Sequence, residues 1–323
     1  MNRFQFLLDR TAVLFLGVAA GAAIGFGFAN GNSRHEAVSL APEAAPLIDA
    51  PAAIAPPPPT APAAPPTSEA PAAAVVELPQ VAPVPADTPP PQMIQSAREG
   101  GLVRIGVFGD SFGDGVYSGL YRLLSAKDGF QVTKYSQQST GFTRYRRLNL
   151  QEHDDAQLDG QPLDVAVIAF GANDAQGVCD AGHCGTLMSA YWQDVIGRRV
   201  EAYVAMLRGH GAAVYWVGMP VMRDAAFDGD AAAMNGFYTR LMARLGVPFV
   251  DIRPLTMGAG GRYQDYYIDG DGTQKLLRAG DGIHMSMNGY IHVTKALASR
   301  IRATVSAART ASAEPAGGEA SRP

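Results

Sequence analysis

Residues 103–111 read Val103-Arg-Ile-Gly-Val-Phe-Gly-Asp-Ser111, an apolar run that ends in a polar turn. The run Val103–Phe108 has the length and composition of a buried strand, and the turn opens a helical segment. A strand that leads through a short turn into a helix is the repeating unit of α/β proteins. The stretch therefore predicts an α/β fold and places the Ser111 hydroxyl at the carboxyl end of a strand.

Four further apolar runs extend the predicted sheet to five strands. These runs are Phe130–Tyr135, Asp164–Phe170, Ala212–Met219 and Val247–Ile252. The predicted helices are Gly113–Ala126, Tyr191–His210, Asp230–Leu245 and Ser286–Val305. Because several runs are almost continuously apolar, we expect strands that are covered on both faces. The alternation of strands and helices predicts a three-layer αβα sandwich with a five-stranded parallel sheet.

The chain on either side of this region has a different composition. Seventeen of its 23 prolines lie between Pro42 and Pro91, mixed with alanine and almost without aromatic residues. Such a segment buries too little apolar surface to offset the entropy lost on ordering. We therefore expect a disordered linker over residues 31–97, one folded domain over residues 98–307 and a disordered tail over residues 308–323.

Residues 11–29 are almost wholly apolar and follow Arg3 and Arg10. As a helix they would span about 28 Å, close to the ~30 Å of bilayer hydrocarbon. Arginines on the N-terminal flank predict a cytoplasmic N-terminus and export of the remainder. Residues 1–30 are accordingly predicted to be an inner-membrane anchor, with the folded domain in the periplasm. The alternative is a cleaved signal peptide, because small residues such as Ala29 stand at a suitable cleavage spacing.

Charge and cysteine content exclude some classes of partner. The formal net charge is −4 and no stripe dense in lysine or arginine occurs, so no nucleic-acid partner is expected. Cys179 and Cys184 are the two cysteines of the chain. Three alternatives remain open for them: a disulfide, two free thiols, or a zinc site with Asp180 and His183. Because a Cys-x4-Cys pair with one histidine fits structural zinc spacing poorly, we expect no metal and no cofactor.

Two other turns at the ends of predicted elements carry side chains that complement a serine. Gly-Ala-Asn-Asp at 171–174 follows a strand, and Asp-Gly-Ile-His at 281–284 precedes the last helix. A serine hydroxyl is a weak nucleophile until a base such as His284 takes its proton, and Asp281 can orient the imidazole. The Asn173 carboxamide can donate to an oxygen that becomes negative during ester cleavage.

Each of these residues also has a purely structural explanation. Asp110 or Ser111 can cap the helix, Asn173 can belong to a simple turn, and Asp281 and His284 can form a solvated surface pair. The order of the three turns and their predicted settings favour a shared chemical role over three separate structural ones.

The three turns and Gly141, in the segment Ser139–Phe142, resemble the SGNH or GDSL hydrolases, a family named after its Ser, Gly, Asn and His. The resemblance extends over Arg104–Ala298. The segments Phe170–Gln176 and Trp216–Pro220 are most similar to an envelope-associated bacterial branch of unknown function. The resemblance implies a flavodoxin-like SGNH hydrolase fold for the predicted sandwich.

The resemblance also implies roles for individual residues. Ser111, Asp281 and His284 would form a catalytic triad. The backbone N–H groups of Ser111 and Gly141, together with the side chain of Asn173, would form the oxyanion hole. The resemblance therefore implies a serine hydrolase that acts on carboxylic esters.

Five arginines lie within a few residues of a predicted strand exit or of one of the turns. They are Arg144, Arg146, Arg147, Arg223 and Arg278. Because arginine binds carboxylates in a bidentate manner, we predict that Arg146, Arg147, Arg223 and Arg278 contact a substrate with acid groups. The alternative is a set of solvated surface arginines.

These observations lead to one main functional hypothesis and two alternatives. The main hypothesis is an exported, membrane-tethered serine esterase that removes small acyl groups of acetyl type through an acyl-Ser111 intermediate. Its substrate would be an acylated glycan of the envelope or the extracellular space, or a small ester. The first alternative is an O-acyltransferase with the same acyl-serine. The second is a non-catalytic binding or scaffold domain of the cell envelope.

Overall fold

The structure is a computed structural model that describes residues 87–98 and 101–313. Its strands are β1 (Val103–Gly109), β2 (Phe130–Lys134), β3 (Val165–Ala169), β4 (Val178–Asp180), β5 (His183–Gly185), β6 (Ala213–Val217), β7 (Phe249–Val250), β8 (Tyr266–Ile268) and β9 (Gln274–Leu276). Its helices are α1 (Pro91–Arg98), α2 (Ser111–Leu123), α3 (Leu150–Leu158), α4 (Ala190–Gly209), α5 (Ala225–Leu245), α6 (Arg253–Thr256) and α7 (Met287–Ala313).

Five of these strands form one parallel sheet in the order β2-β1-β3-β6-β7. The prediction of a five-stranded parallel sheet is therefore confirmed, and each predicted strand is present. Counted within the sheet alone, the order is 2-1-3-4-5, which is the flavodoxin-like order. The remaining strands form two antiparallel hairpins, β4-β5 and β8-β9, which are not among the strands expected from the sequence.

Apolar residues alternate between the two faces of the sheet and build one core on each. In β3, Ala166 and Ile168 belong to the core under α3, α4 and α5, whereas Val165 and Val167 belong to the core under α1, α2 and α7. All four side chains are fully buried. The αβα sandwich is therefore confirmed, and strands covered on both faces explain why the runs are continuously apolar.

Helices α2 and α7 pack closely on the second face of the sheet. A Cβ atom added at Gly115 would lie 1.9 Å from Cζ of Tyr290, and one added at Gly119 would lie 2.8 Å from the Tyr290 carbonyl oxygen. Glycine at these two positions is what lets the helices approach. Ser286 caps α7, because its hydroxyl accepts a hydrogen bond of 3.1 Å from the backbone N–H of Gly289.

The folded body begins earlier and ends later than predicted. The expected linker over 31–97 includes α1, and the expected tail over 308–323 includes the end of α7. Helix α1 forms because Met93 is fully buried in the second core, while Pro91 occupies a first-turn position that tolerates proline. Asp87 accepts two hydrogen bonds of 2.6 Å from Arg300 and so joins this segment to α7.

The predicted membrane anchor or signal at residues 1–30 lies outside the described residues. Among the helices that the structure describes, none is both long enough and apolar enough to cross a bilayer.

We expect Met93→Ala to lower the free energy of unfolding by about 2–5 kcal/mol, because it leaves a cavity between α1 and the sheet. Met287→Ala is the matched control, since Met287 is also a helical methionine but is 41% exposed. Urea titration of both variants measures the difference. Equal destabilisation by the two substitutions would show that α1 does not pack as described.

Candidate active site

Ser111 stands at the point where β1 ends and α2 begins. Asp110 caps this helix: its Oδ1 accepts a hydrogen bond of 2.9 Å from the backbone N–H of Phe112. Ser111 is therefore the first helical residue, and its backbone N–H is one of the donors that a helix leaves unpaired at its N-terminus. Among the described residues, no hydrogen-bond acceptor is paired with that N–H group. The side chain of Ser111 is partly exposed.

The histidine loop, defined as residues 279–284, brings a base to this serine. Nε2 of His284 lies 2.8 Å from Oγ of Ser111, and Nδ1 lies 2.6 Å from Oδ2 of Asp281. The other carboxylate oxygen of Asp281 accepts hydrogen bonds of 2.9 Å from the backbone N–H groups of Ile283 and His284. The serine, the histidine and the aspartate thus form one continuous hydrogen-bonded chain.

Hydrogen bonds keep the Asp281 carboxylate ionised. Partial burial acts to raise the pKa of Asp281, but hydrogen bonds from the His284 ring and from two backbone N–H groups outweigh it and lower the pKa to about 2. A carboxylate that stays charged near neutral pH can fix the imidazole ring and stabilise its protonated form.

Arg278 and Arg223 hold the histidine loop through its backbone. Arg278 is 1% exposed, and its guanidinium donates to the Ile283 carbonyl oxygen over 2.8 Å. Arg223 donates from Nη1 to the carbonyl oxygen of Gly280 over 2.9 Å. The prediction that Arg278 contacts substrate does not fit this position, because its donors are directed at carbonyl oxygens inside the protein.

The Tyr263 ring contacts both of these guanidinium groups. Their Cζ atoms lie 4.8 Å (Arg278) and 5.1 Å (Arg223) from the ring centroid. Arg223 also donates to the Tyr263 hydroxyl over 3.1 Å and to Oδ1 of Asp265 over 3.2 Å. Arg223 remains half-exposed. However, its guanidinium group already donates three hydrogen bonds and stacks on one ring within the protein, and so it is poorly placed to bind a substrate.

Asn173 connects the turns that follow β1, β2 and β3. Its Nδ2 donates to the carbonyl oxygen of Thr140 over 3.0 Å and to Oδ2 of Asp110 over 3.2 Å. Thr140 and Asp110 are the neighbours of Gly141 and Ser111 in the chain. A single side chain therefore gathers the three predicted oxyanion-hole residues at one edge of the sheet.

Asp174, next to Asn173, organises the turn that contains Gly141. This fully buried carboxylate accepts hydrogen bonds from the backbone N–H groups of Phe142 (3.0 Å) and Thr143 (2.7 Å). Its Oδ1 lies so close to Gly141 that an added Cβ atom there would approach it to 2.5 Å. Glycine is therefore required at 141 for close approach, and among the described residues its backbone N–H has no acceptor.

Burial shifts the ionisation of the two acidic residues beneath the site. It raises the pKa of Asp110 to about 6, despite the hydrogen bond from Phe112, and the nearby Asp174 carboxylate adds to this increase. Burial also raises the pKa of Asp174. From the sequence alone, Asp110 is expected to be a helix cap and Asp174 a turn residue. The only sign in the sequence that they do more than this is their position inside the Gly-Asp-Ser and Asn-Asp motifs.

Of the remaining arginines, Arg144 and Arg147 lie beside Gly141. Arg144 donates from Nη1 to the Ser139 carbonyl oxygen over 2.9 Å. Arg147 is exposed and, together with Arg144, lines a pocket that reaches Gly141. Arg146 is also exposed but does not line this pocket, so the structure separates two arginines that are adjacent in sequence.

The structure joins Cys179 and Cys184 by a disulfide across the β4-β5 hairpin, the first of the three alternatives. Arg199 attaches this hairpin to the site by donating to Oδ1 of Asp180 (3.0 Å) and to the Phe142 carbonyl oxygen (2.7 Å). Within the ranges 87–98 and 101–313, no group of three or more histidine, cysteine or acidic side chains is arranged to hold a metal ion.

Comparison with protein families gives one match. A family model described as "Protein of unknown function (DUF459)" matches residues 104–300, which include every site residue named above. No curated protein matches the chain. The five-stranded sheet and the order of the site turns agree with the predicted resemblance to SGNH hydrolases.

Several solved structures have similar folds. The periplasmic domain of a lipopolysaccharide acetyltransferase from Salmonella ser. Paratyphi A is 9% identical, with 65% of this chain and 88% of that one covered and a TM-score of 0.47. A GDSL-like lipase from Bacteroides thetaiotaomicron VPI-5482 is 13% identical, with coverages of 67% and 98% and a TM-score of 0.42. An acetyl xylan esterase is 18% identical, with coverages of 63% and 100% and a TM-score of 0.43. Likeness at this level does not extend to activity, which has to be argued from the site itself.

We expect Gly141→Ala to lower the free energy of unfolding by about 1–3 kcal/mol, because the added methyl group collides with the buried Asp174 carboxylate. Gly209→Ala is the control, since no atom lies within 4 Å of a Cβ placed there. Thermal or urea unfolding compares the two. If Gly141→Ala were as stable as the control, the close contact with Asp174 would be disproved.

We expect Asp110→Asn to flatten the pH dependence of stability between about pH 4 and about pH 6. In the wild type the folded state keeps the Asp110 proton up to about pH 6, whereas the unfolded chain loses it near its ordinary value of 3.8. Stability therefore falls as pH rises through this window, by an amount on the order of 2 kcal/mol. Urea titrations at a series of pH values measure the slope, and identical slopes in both proteins would contradict the assignment.

Proposed function

Since this chain belongs to the DUF459 family and carries a hydrogen-bonded serine, histidine and aspartate at the carboxyl edge of its sheet, we propose that it is a serine esterase. The observation that carries the proposal is the pair of distances at His284. Its Nε2 lies 2.8 Å from Oγ of Ser111, and its Nδ1 lies 2.6 Å from Oδ2 of Asp281. A nucleophile, a base and a group that orients the base are the minimum set for acyl transfer to serine.

In the first half of the proposed reaction, Oγ of Ser111 attacks the ester carbonyl carbon and Nε2 of His284 takes the hydroxyl proton. The resulting imidazolium is stabilised by the Asp281 carboxylate. When the tetrahedral intermediate collapses, the ester C–O bond breaks and His284 returns the proton to the leaving alkoxide. In the second half, His284 takes a proton from water as the water oxygen attacks the acyl carbon. When this second intermediate collapses, the bond between the acyl carbon and Oγ breaks, the carboxylic acid leaves, and His284 returns the proton to Oγ.

The negative oxygen of the intermediate is held by the backbone N–H groups of Ser111 and Gly141 and by the carboxamide of Asn173. In the resting site the two hydrogens of Asn173 Nδ2 are directed at Thr140 and Asp110. We expect the oxyanion to take over the hydrogen now shared with Asp110, because that bond is the longer of the two. Loss of one such donor typically costs about 3 kcal/mol of transition-state stabilisation.

Solvent access favours hydrolysis over acyl transfer to a sugar. The side chains of Asp281 and His284 are 46% and 33% exposed, and Ser111 is partly exposed. A transferase has to keep water away from its acyl-enzyme, and a site this open does not exclude it. We therefore propose hydrolysis of small acyl groups, with transfer to a glycan as the alternative outcome.

The proposed substrate and location rest on the sequence of the N-terminal region. An apolar segment at 11–29 and a long proline-rich linker would tether the folded domain to the outer side of the inner membrane. Acylated polymers within reach of such a tether include the polysaccharides of the envelope. We accordingly propose that the protein deacylates an envelope or extracellular polysaccharide.

We expect Ser111→Ala to reduce hydrolysis of an activated acetyl ester by about 10⁴-fold or more, because the acyl-enzyme cannot form. The rate is measured on the purified full-length protein by release of the chromogenic alcohol. Ser118→Ala is the matched control: Ser118 lies on the same helix and donates only to the Asp114 carbonyl oxygen. Equal rates for wild type and Ser111→Ala would support a non-catalytic binding or scaffold domain instead.

A further inference from the structure

A pocket of about 250 Å³ opens beside Gly141 and takes no part in the reaction proposed above. It is lined by residues 137–141 and by Arg144, Arg147 and Leu148. It therefore lies between the turn that follows β2 and the segment that leads to α3. Within this wall Ser139 has a φ of 62°, a left-handed conformation that is uncommon for a residue other than glycine.

The pocket and the reaction centre share a wall. Gly141, the expected backbone donor to the oxyanion, is one of its lining residues, and so is Thr140, whose carbonyl oxygen is held by Asn173 over 3.0 Å. A substrate with its ester carbonyl at the Gly141 N–H group would consequently place an adjoining part of the molecule at the pocket. The pocket is therefore a candidate position for a neighbouring group of the same substrate.

The lining of the pocket is cationic and hydrogen-bonding. The Arg147 side chain is exposed, and neither it nor Arg144 forms an ion pair with a described residue. Two nearby carboxylates are already engaged: Asp174 accepts three hydrogen bonds from the 142–143 turn, and Asp114 pairs with Lys134 over 3.2 Å. Arg144 is close enough to the buried Asp174 carboxylate to act against the rise in its pKa, whereas no carboxylate of the described residues pairs with Arg147.

The remaining polar groups suit a sugar acid. Gln137 and Gln138 also line the pocket, and the Gln138 amide donates to Oδ2 of Asp114 over 3.1 Å. Amides bind sugar hydroxyls, while a guanidinium group with its planar fork of donors matches the two oxygens of a carboxylate. Arg144 is held by its bond to the Ser139 carbonyl oxygen, so Arg147 is the arginine that is free to turn toward a ligand.

We propose that this pocket is a subsite for the carboxylate of an acidic, uronic-acid-type sugar, with Arg147 as its main ligand and Arg144 as a supporting charge. The proposal rests on the proposed esterase function and narrows its substrate to acyl esters of acidic glycans. Arg147 is then a specificity-determining residue, and Arg146 beside it is not.

The test compares two polymers and two adjacent arginines in the full-length protein. The substrates are an O-acetylated polyuronate and an O-acetylated neutral xylan, and the readout is acetate release. We expect Arg147→Ala to lower the ratio of kcat/KM on the acidic polymer to kcat/KM on the neutral polymer by about 10-fold, the effect of one charge-assisted hydrogen bond. Arg146→Ala, the matched control, should leave this ratio unchanged, and Arg147→Lys should restore part of it.

A binding measurement separates this proposal from the esterase proposal. Calorimetric titration of the acidic polymer into the Ser111→Ala protein needs no turnover, and Arg147→Ala in that background should raise Kd by about 10-fold. The same Kd with Arg147→Ala and with Arg146→Ala, or an equal loss of activity on both polymers, would overturn the subsite. Equal ester hydrolysis by the wild type and Ser111→Ala would instead disprove the esterase proposal. The binding measurement would still decide whether the pocket binds a carboxylate.

Discussion

The close packing of α2 on α7 is the contact on which the candidate site depends. Helix α2 begins at Ser111, and α7 begins three residues after His284, so the separation of the two helices sets the separation of their side chains. Gly115 and Gly119 leave room for Tyr290 at distances that no larger residue allows. A hydrogen bond of 2.8 Å between Oγ and Nε2 tolerates only small displacements. Two glycines in the middle of a helix therefore contribute to the geometry of a site that lies several residues away.

Backbone-directed side chains give the site its rigidity. Arg278 and Arg223 hold the histidine loop by its carbonyl oxygens, while Asp174 and Asn173 hold the turns that follow β2 and β3. Arg278 and Asp174 are buried, and an unpaired polar group inside a protein is costly. Each turn consequently has one favourable arrangement. Such preorganisation is what an oxyanion hole requires, since its donors must be in place before the negative charge develops.

The position of the site follows from the sheet rather than from the size of the available cavities. A larger pocket of about 680 Å³ lies where α1 meets the amino end of β6, lined by residues such as Asp87, Gln92 and Tyr215. The triad and the smaller pocket beside Gly141 lie at the opposite, carboxyl end of the strands, where parallel sheets place their ligands. At that end, successive loops diverge and leave a crevice that polar side chains from several strands can line together.

The local sequence pattern was sufficient to predict the five sheet strands and four of the helices. It also predicted the turns that carry Ser111, Asn173 and His284. A buried strand or a helix cap can be predicted in this way because it depends on residues that are close in the chain. Helix α1 was missed since it owes its order to burial of Met93 under a distant surface and not to its proline-rich composition. The arginines near the site have different roles in the structure for the same reason. Arg278 ends among carbonyl oxygens of the histidine loop, and Arg147 ends at an open pocket beside Gly141. The partners of a long cationic side chain come from remote segments, and so only the tertiary structure decided which arginine supports the histidine loop and which lies at an open pocket.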